Sequence, residues 1–357
     1  MKKFYLIPAF AAVMMTGCSQ SEIVEQAHDA QTGLISFSTH VNKGTRAISN
    51  DSFNKFFVYG SYKMPNTETR IVIFSGENVN KSGENWTYGS SDSDQRYWIS
   101  TAEYNFAAYG VDNNALPTGA NANHRDSRYL NITDFLCNGS NQKDLVYATA
   151  SRTATETGNP TVPMDFKHVL SRIKFVFKNS FPAGYKIKIS DFKVINVRDK
   201  GNFYGSVFEA NSGNPWENPR TAAQGEYTEP VRSVDMPEIG VGFTENNDVA
   251  VSGNVAESDA YYVIPFKYTV ADVHLVFKLA VTKTEDEAEV KIFDKNYQVD
   301  MAPDWKTGHQ YRYTIELSGS QVGLEQIKFS GTVSEWTEWE NENAGNIGAG
   351  NLPSVSE

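Results

Sequence analysis

The chain is short of the groups that most enzymes and metalloproteins rely on. Only two cysteines stand in 357 residues, Cys18 and Cys137. Cys18 ends a hydrophobic leader, and if its thiol is used there, Cys137 has no intramolecular partner. The expected fold therefore carries no disulfide, although an exported compartment would permit one. Cys137 itself, just before the turn signal Asn138-Gly139, reads as a small buried hydrophobe. Six histidines, at positions 28, 40, 124, 168, 274 and 309, never fall at metal-ligand spacing. His168, just ahead of a strand, reads as a packing or hydrogen-bonding residue. A glycine-rich phosphate loop and a nucleophile elbow are both missing. The acidic pairs Asp92/Asp94 and Glu285-Asp286-Glu287 lie in turn-like stretches without a calcium-loop pattern. Neither a cofactor nor a metal is expected. Positive charge is also scarce: 32 Lys and Arg face 43 Asp and Glu, for a net charge of −11 and a pI near 5.1. That balance argues against nucleic acid as a partner. After Met15 no apolar run reaches the ~18 residues of a membrane-spanning helix. Sustained helical periodicity is absent too, which disfavours βαβ units.

What is present begins at the N-terminus. Lys2 and Lys3 precede an apolar run from Phe4 to Met15, and small Gly17 precedes Cys18. This reads as a secretory signal over residues 1–17, outside any fold. Met15-Thr16-Gly17-Cys18 resembles a bacterial lipobox, with Met where Leu is more usual. The resemblance implies cleavage before Cys18 and acylation of its thiol. Residues 19–33 are polar and read as a tether, able to reach ~50 Å at ~3.3–3.6 Å per extended residue.

From residue 34 onward the period is two. Ile35, Phe37, Thr39 and Val41 share one face of a strand, and Ser36, Ser38 and His40 the other. Strand-like runs recur at 56–62, 70–74, 97–99, 104–110, 144–148, 172–178, 186–195, 260–265, 274–281, 289–293, 310–317 and 326–333. A short helix is the expectation near Asn131–Cys137, within the polar, irregular stretch 111–143. Ser151–Pro163 is polar with two prolines, as inter-domain linkers tend to be. The resulting expectation is an all-β chain of two tandem antiparallel β-sandwich domains, at residues 47–155 and 156–340. Residues 18–46 would precede them as tether and leader strand, and residues 341–357 would follow as a flexible, Asn/Gly/Ser-rich tail.

Several stretches taken together resemble the fimbrillins, the type V pilins of Gram-negative bacteria. These are the lipobox Cys18, the leader strand and Gly44-Thr45-Arg46-Ala47. Phe166 to Ile173 resembles the family's entry into its second domain. Tyr262-Val263-Ile264-Pro265, Trp305 to Ile315 and Val333-Ser334-Glu335-Trp336 match its closing portion. The resemblance covers nearly the whole chain, through the order and spacing of motifs rather than any single sharp one. It implies two transthyretin-like Greek-key sandwiches in a fimbrial subunit, carried as a lipid-anchored precursor to the outer membrane and cell surface. It also implies an Arg-specific protease that removes the leader strand, here between Arg46 and Ala47. Other pilus subunits would be the partners, with a host or bacterial surface ligand for adhesion. Stalk, anchor and tip roles all stay open, as does whether this member is cut. A monomeric glycan-binding surface lipoprotein is the alternative, with exposed aromatics as its requirement, and a β-sandwich hydrolase is a third reading.

The residues add a reading of their own. Burying Ile35, Phe37 and Val41 stabilises by ~1.5–3 kcal/mol each before entropy. Removing such a strand exposes an apolar groove and an unpaired sheet edge, a template for another chain. The pattern Ile35-x-Phe37-Ser38-x-x-Val41 recurs as Ile327-x-Phe329-Ser330-x-x-Val333, with Gly331 in the place of Thr39. Residues 326–334 of one subunit are therefore the candidate donor for the groove of another. Chance repetition of a period-two pattern is the competing explanation.

Overall fold

The computed structural model describes residues 31–41, 48–49, 52–124, 128–137, 143–155, 161–182, 184–217, 233–234, 238–239, 255–257, 260–271, 273–320, 323–335, 345–346 and 355–356. These residues form an all-β protein with one short helix of more than a single turn. The N-terminal half holds β1 (Gln31–Leu34), β2 (Phe37–Val41), β3 (Lys55–Lys63), β4 (Ile71–Ser82), β5 (Asn85–Thr87), β6 (Tyr97–Ile99), β7 (Glu103–Val111), β8 (Asn121–Asn123), β9 (Asn131–Leu136), β10 (Leu145–Thr153) and β11 (Val162–His168). Seven of these strands form one sheet in the order β2-β11-β10-β7-β3-β4-β5. Its inner face packs around Phe56, Val58, Tyr104, Phe106 and Trp98.

The C-terminal half contributes β12 (Ser171–Asn179), β13 (Tyr185–Ile195), β14 (Lys200–Tyr204), α1 (Gly205–Ala210) and β15 (Trp216–Glu217). It continues with β16 (Ser233–Val234), β17 (Glu238–Ile239), β18 (Val255–Glu257), β19 (Tyr261–Val263), β20 (Val273–Glu285) and β21 (Ala288–Met301). The last elements are β22 (His309–Ser320), β23 (Gly323–Glu335), β24 (Gly345–Asn346) and β25 (Val355–Ser356). Two six-stranded sheets result, β18-β12-β22-β23-β24 with β19 beside β12, and β16-β13-β20-β21-β25 with β17 beside β13. Alternation dictates this packing: along β20, Val273, Leu275, Phe277, Leu279 and Val281 are fully buried while the residues between them are half-exposed. Ile187 and Ile189 from neighbouring β13, and Phe175, Phe177, Ile315 and Leu317 from the other sheet, fill the same core.

A fourth sheet is shared by the two halves. β9 pairs with β14, in the order β15-β14-β9-β8, and covers the outer face of β7 and β10. Ala107, Tyr109, Leu145 and Tyr147 from the first half pack there against Phe203, Trp216, Tyr262 and Ile264 from the second. Gly205 is required at this contact, because a Cβ would meet the Tyr147 hydroxyl and the Leu130 carbonyl oxygen.

Three features differ from the sequence expectation. Asn131–Leu136 is a strand, not a helix. Asp134 sits at φ 56°, and the register slips between Gly201 and Phe203, so a bulge adds one residue between inward-facing Ile132 and Phe135. Two ladders also run parallel within the otherwise antiparallel sheets, β2 with β11 and β12 with β22. Finally, the polar segment Ser151–Pro163 is flanked by β10 and β11, which lie in one and the same sheet. Pro163 is accommodated because β11 pairs with β10 only at Lys167 and His168, leaving the proline beside an unladdered edge. Of the tail expected to be flexible, Gly345–Asn346 pairs with β23 and Val355–Ser356 with β21.

Candidate functional site

β2 lies at the end of the seven-stranded sheet and, among the described residues, is laddered on one side, over five register pairs from Phe37↔Val162 to Val41↔Phe166. β5 packs against it without forming a ladder. Its side chains, by contrast, are deeply engaged. Ile35 and Val41 are fully buried and Phe37 is 4% exposed, while Ser38 and His40 face solvent and Thr39 is half-buried. Phe37 is the centre of an aromatic cluster: the rings of Phe56, Phe74, Tyr88 and Phe106 surround it edge-on with centroids 5.6–5.9 Å away. Edge-to-face pairs add ~0.5–1.5 kcal/mol each beyond burial. The backbone before it is fixed as well. Ile35 N–H donates to the Arg96 carbonyl at 2.8 Å, the Tyr88 hydroxyl donates to the Ile35 carbonyl at 2.8 Å, and Val162 N–H donates to the Ser36 carbonyl at 2.8 Å. Burial pushes the Tyr88 phenol up to about 12, so it remains a donor at any physiological pH.

The chain re-enters the described structure at Ile48, which is 4% exposed and part of the same core. Ile48 N–H donates to the Asp144 carboxylate at 3.2 Å. Asp144 is fully buried, pairs with His168 Nδ1 at 2.8 Å and accepts Leu145 N–H at 2.8 Å. Its own N–H donates to the Asp112 carboxylate at 2.8 Å. Burial, and next the Asp144 charge beside it, push the Asp112 carboxyl up to about 6. Sequence reasoning placed His168 but missed Asp112 and Asp144, which lie 32 residues from one another and, for Asp144, 96 residues from Ile48, and meet only in the fold; the one available signal was Asp144 opening an apolar run.

Leader-strand residues Ile35, Phe37 and Val41 thus meet in one core, whereas the other singled-out positions are dispersed. Cys18, Arg46 and Ala47 lie outside the described residues. Ile327, Phe329 and Val333 lie on β23, opposite Leu317, Ile315 and Tyr311 of β22. Cys137 is buried, its thiol pushed well up by desolvation and then by the charges of Asp199 and Asp144, so it is a poor nucleophile. Trp98, Trp216 and Trp305 are packing residues, buried in the three cores, and Trp86 packs on Phe53 and Phe56; Trp336 and Trp339 are outside the described residues. Asp94 closes a tight turn by accepting Ser90 and Ser91 N–H, which holds its carboxyl below the usual range. Glu285, Asp286 and Glu287 form the exposed tip of the β20–β21 hairpin. Among the described residues no three His, Cys, Asp or Glu side chains stand together as a metal site, and no helix is long and apolar enough to cross a membrane.

Solved structures share the fold of this all-β architecture. A fimbrial protein from Bacteroides vulgatus ATCC 8482 superposes with a TM-score of 0.61 at 16% identity, covering 85% of this chain and 99% of that one. A protein provisionally assigned to cell adhesion from Bacteroides ovatus ATCC 8483 has 15% identity over 85% of this chain and 98% of that one, with a TM-score of 0.45. No curated protein matches the chain. The fimbrillin-like family model matches residues 45–336, and the chain belongs to that family.

Proposed function

We propose that the chain is a structural subunit of a cell-surface fimbria, not an enzyme, exported as a lipoprotein acylated at Cys18 and anchored in the outer membrane. An Arg-specific protease cuts between Arg46 and Ala47, the strand Phe37–Val41 leaves, and a strand from a neighbouring subunit takes its place. Adhesion to a host or bacterial surface is the purpose of the assembled fibre. The observation that carries this reading is the asymmetry of β2: its side chains are buried among four aromatic rings, yet it is laddered on one side over only five residues. Packing without a second ladder suits a segment that must be both well seated and removable as a unit. Family membership over residues 45–336, a match that begins beside Arg46, supports the same reading.

The candidate donor is residues 326–334. The order Ile327, Phe329, Val333 repeats Ile35, Phe37, Val41 in the same chain direction, so the donor would run parallel to β11, as β2 does. Donation requires it to leave β22, with which it shares twelve register pairs. Limited digestion of purified precursor with an Arg-specific protease is the direct test. Assembled material should begin at Ala47 and run as a ladder of oligomers; a start at Cys18, or cut subunits that stay monomeric, would overturn the proposal.

A further inference from the structure

A cleft of about 370 Å³ opens where α1 and the loop after it meet the chain before β20 and before β22. Its size falls near the lower end of the ~300–1,000 Å³ usual for small-molecule sites. Phe208, Pro215 and Pro265 form an apolar wall. Facing it are Lys267, Asp304, Lys306 and Asn211, all exposed. Lys267 and Asp304 are held side by side by an isolated antiparallel bridge, and Asn211 is fixed by its left-handed position, φ 47°, at the end of α1. None of these four side chains makes a hydrogen bond or ion pair among the described residues. Elsewhere on the surface, lysines are commonly engaged: Lys63 with Glu103, Lys200 with Asp134 and Lys278 with Asp294 at 2.7–3.3 Å. Two unengaged ammonium groups in one cleft, on a chain of net charge −11, are a local reversal of sign.

We propose that this cleft binds a glycan bearing a carboxylate, of the sialic acid or uronic acid type. The donor and acceptor set decides the class. Lys267 and Lys306 pair with the carboxylate. Asp304 and the Asn211 carbonyl accept sugar hydroxyls, and the Asn211 amide donates to them. The Phe208 and proline wall takes the C–H face of a pyranose ring. A bare inorganic anion would use the lysines and be repelled by Asp304, and a neutral sugar would leave both ammoniums without a partner. Trp305 does not serve as a stacking platform: it is 2% exposed, and its Nε1 donates to the Tyr313 hydroxyl at 2.9 Å beneath the cleft. The site is independent of cutting at Arg46 and of strand exchange, so it is tested on the uncut chain.

The experiment is calorimetric titration of the full-length chain with sialyllactose, with digalacturonate, and with lactose as the neutral control. At least one acidic ligand should bind and lactose should be weaker by about tenfold or more, as expected when charge-assisted hydrogen bonds are lost. The double variant Lys267→Glu/Lys306→Glu should lose that preference while keeping the near-ultraviolet circular dichroism of the parent. Preference for sialyllactose over digalacturonate, or the reverse, identifies the source of the glycan. Equal binding of lactose, absence of binding by either acidic ligand, or unchanged binding by a folded double variant overturns the proposal.

Discussion

β2 and β23 carry the same three side chains at the same spacing, and their ladders differ widely in extent. β2 is held by packing: three buried side chains, an aromatic cluster around Phe37 and five register pairs on one side. β23 has twelve register pairs with β22 and a further two with β24. Ladder bonds are satisfied by any extended chain, whereas an aromatic pocket selects particular side chains. In the proposed exchange, the groove under β2 would therefore supply the sequence specificity, and β23 would exchange one ladder for another at little net loss in hydrogen bonding.

The largest expected effect separates the two strands completely. Phe329→Asp should abolish polymerisation of trimmed subunits, read by size-exclusion chromatography after digestion, while leaving trimming at Arg46 intact; polymer formation at the parental rate would remove residues 326–334 as donor. Next comes a test of where the donor sits. The register that places His40 beside Asp165 would place Thr332 there instead, so Asp165→Cys and Thr332→Cys in the same chain should give an intersubunit disulfide after trimming and oxidation, seen on non-reducing gels. Cys137 is buried and should not compete. Phe37→Ala should lower the stability of the uncut subunit by about 3–5 kcal/mol in urea titration, yet leave trimmed polymer unaffected, because the residue has by then departed. If polymer and precursor weaken together, β2 is a permanent part of the subunit.

The smallest effect concerns the buried group where Ile48 is fastened to Asp144. The Asp112 carboxyl titrates near 6 in the folded state, above the ~3.9 of an unfolded chain. The folded form thus holds its proton more tightly. Below pH ~4 both states are protonated and the group contributes nothing to the difference; as pH rises from ~4 to ~6 stability falls, and above ~6 the full cost is in place. Asp112→Asn should accordingly raise stability by about 1–3 kcal/mol at pH 8 and by almost nothing near pH 4. An equal gain at both values would assign the effect to packing.

How much of this was legible in the sequence depended on local regularity. β20 alternates along its first nine residues and β12 and β22 over much of their length, and the strands follow from the pattern. β2 was legible for the same reason, with Ile35, Phe37 and Val41 inward as the period requires. β9 was not, because the bulge at Asp134 changes the spacing of Ile132 and Phe135 from two to three, which is a helical interval. Val162-Pro163-Met164-Asp165-Phe166 alternates, but Pro163 and the nearby Pro160 suggested a linker; a proline fits because β11 meets β10 only at Lys167 and His168, beyond it. The Asp112–Asp144–His168 cluster and the shared sheet of β9 and β14 depend on contacts between distant segments, for which a single sequence carries no local signal. The unengaged lysines of the cleft were invisible for the same reason.

Under the proposed exchange, the separate places of β2 and β23 in the molecule have one more consequence, a matter of symmetry. A pocket on one molecule filled by a differently placed strand of the next is a heterologous contact, with no two-fold axis relating the pair. Each joined molecule then offers a free pocket at one end and a free strand at the other. Such a contact has a polarity, and unless its rotation happens to close a ring it repeats without limit, so length is set by whatever occupies the last pocket rather than by the molecule itself.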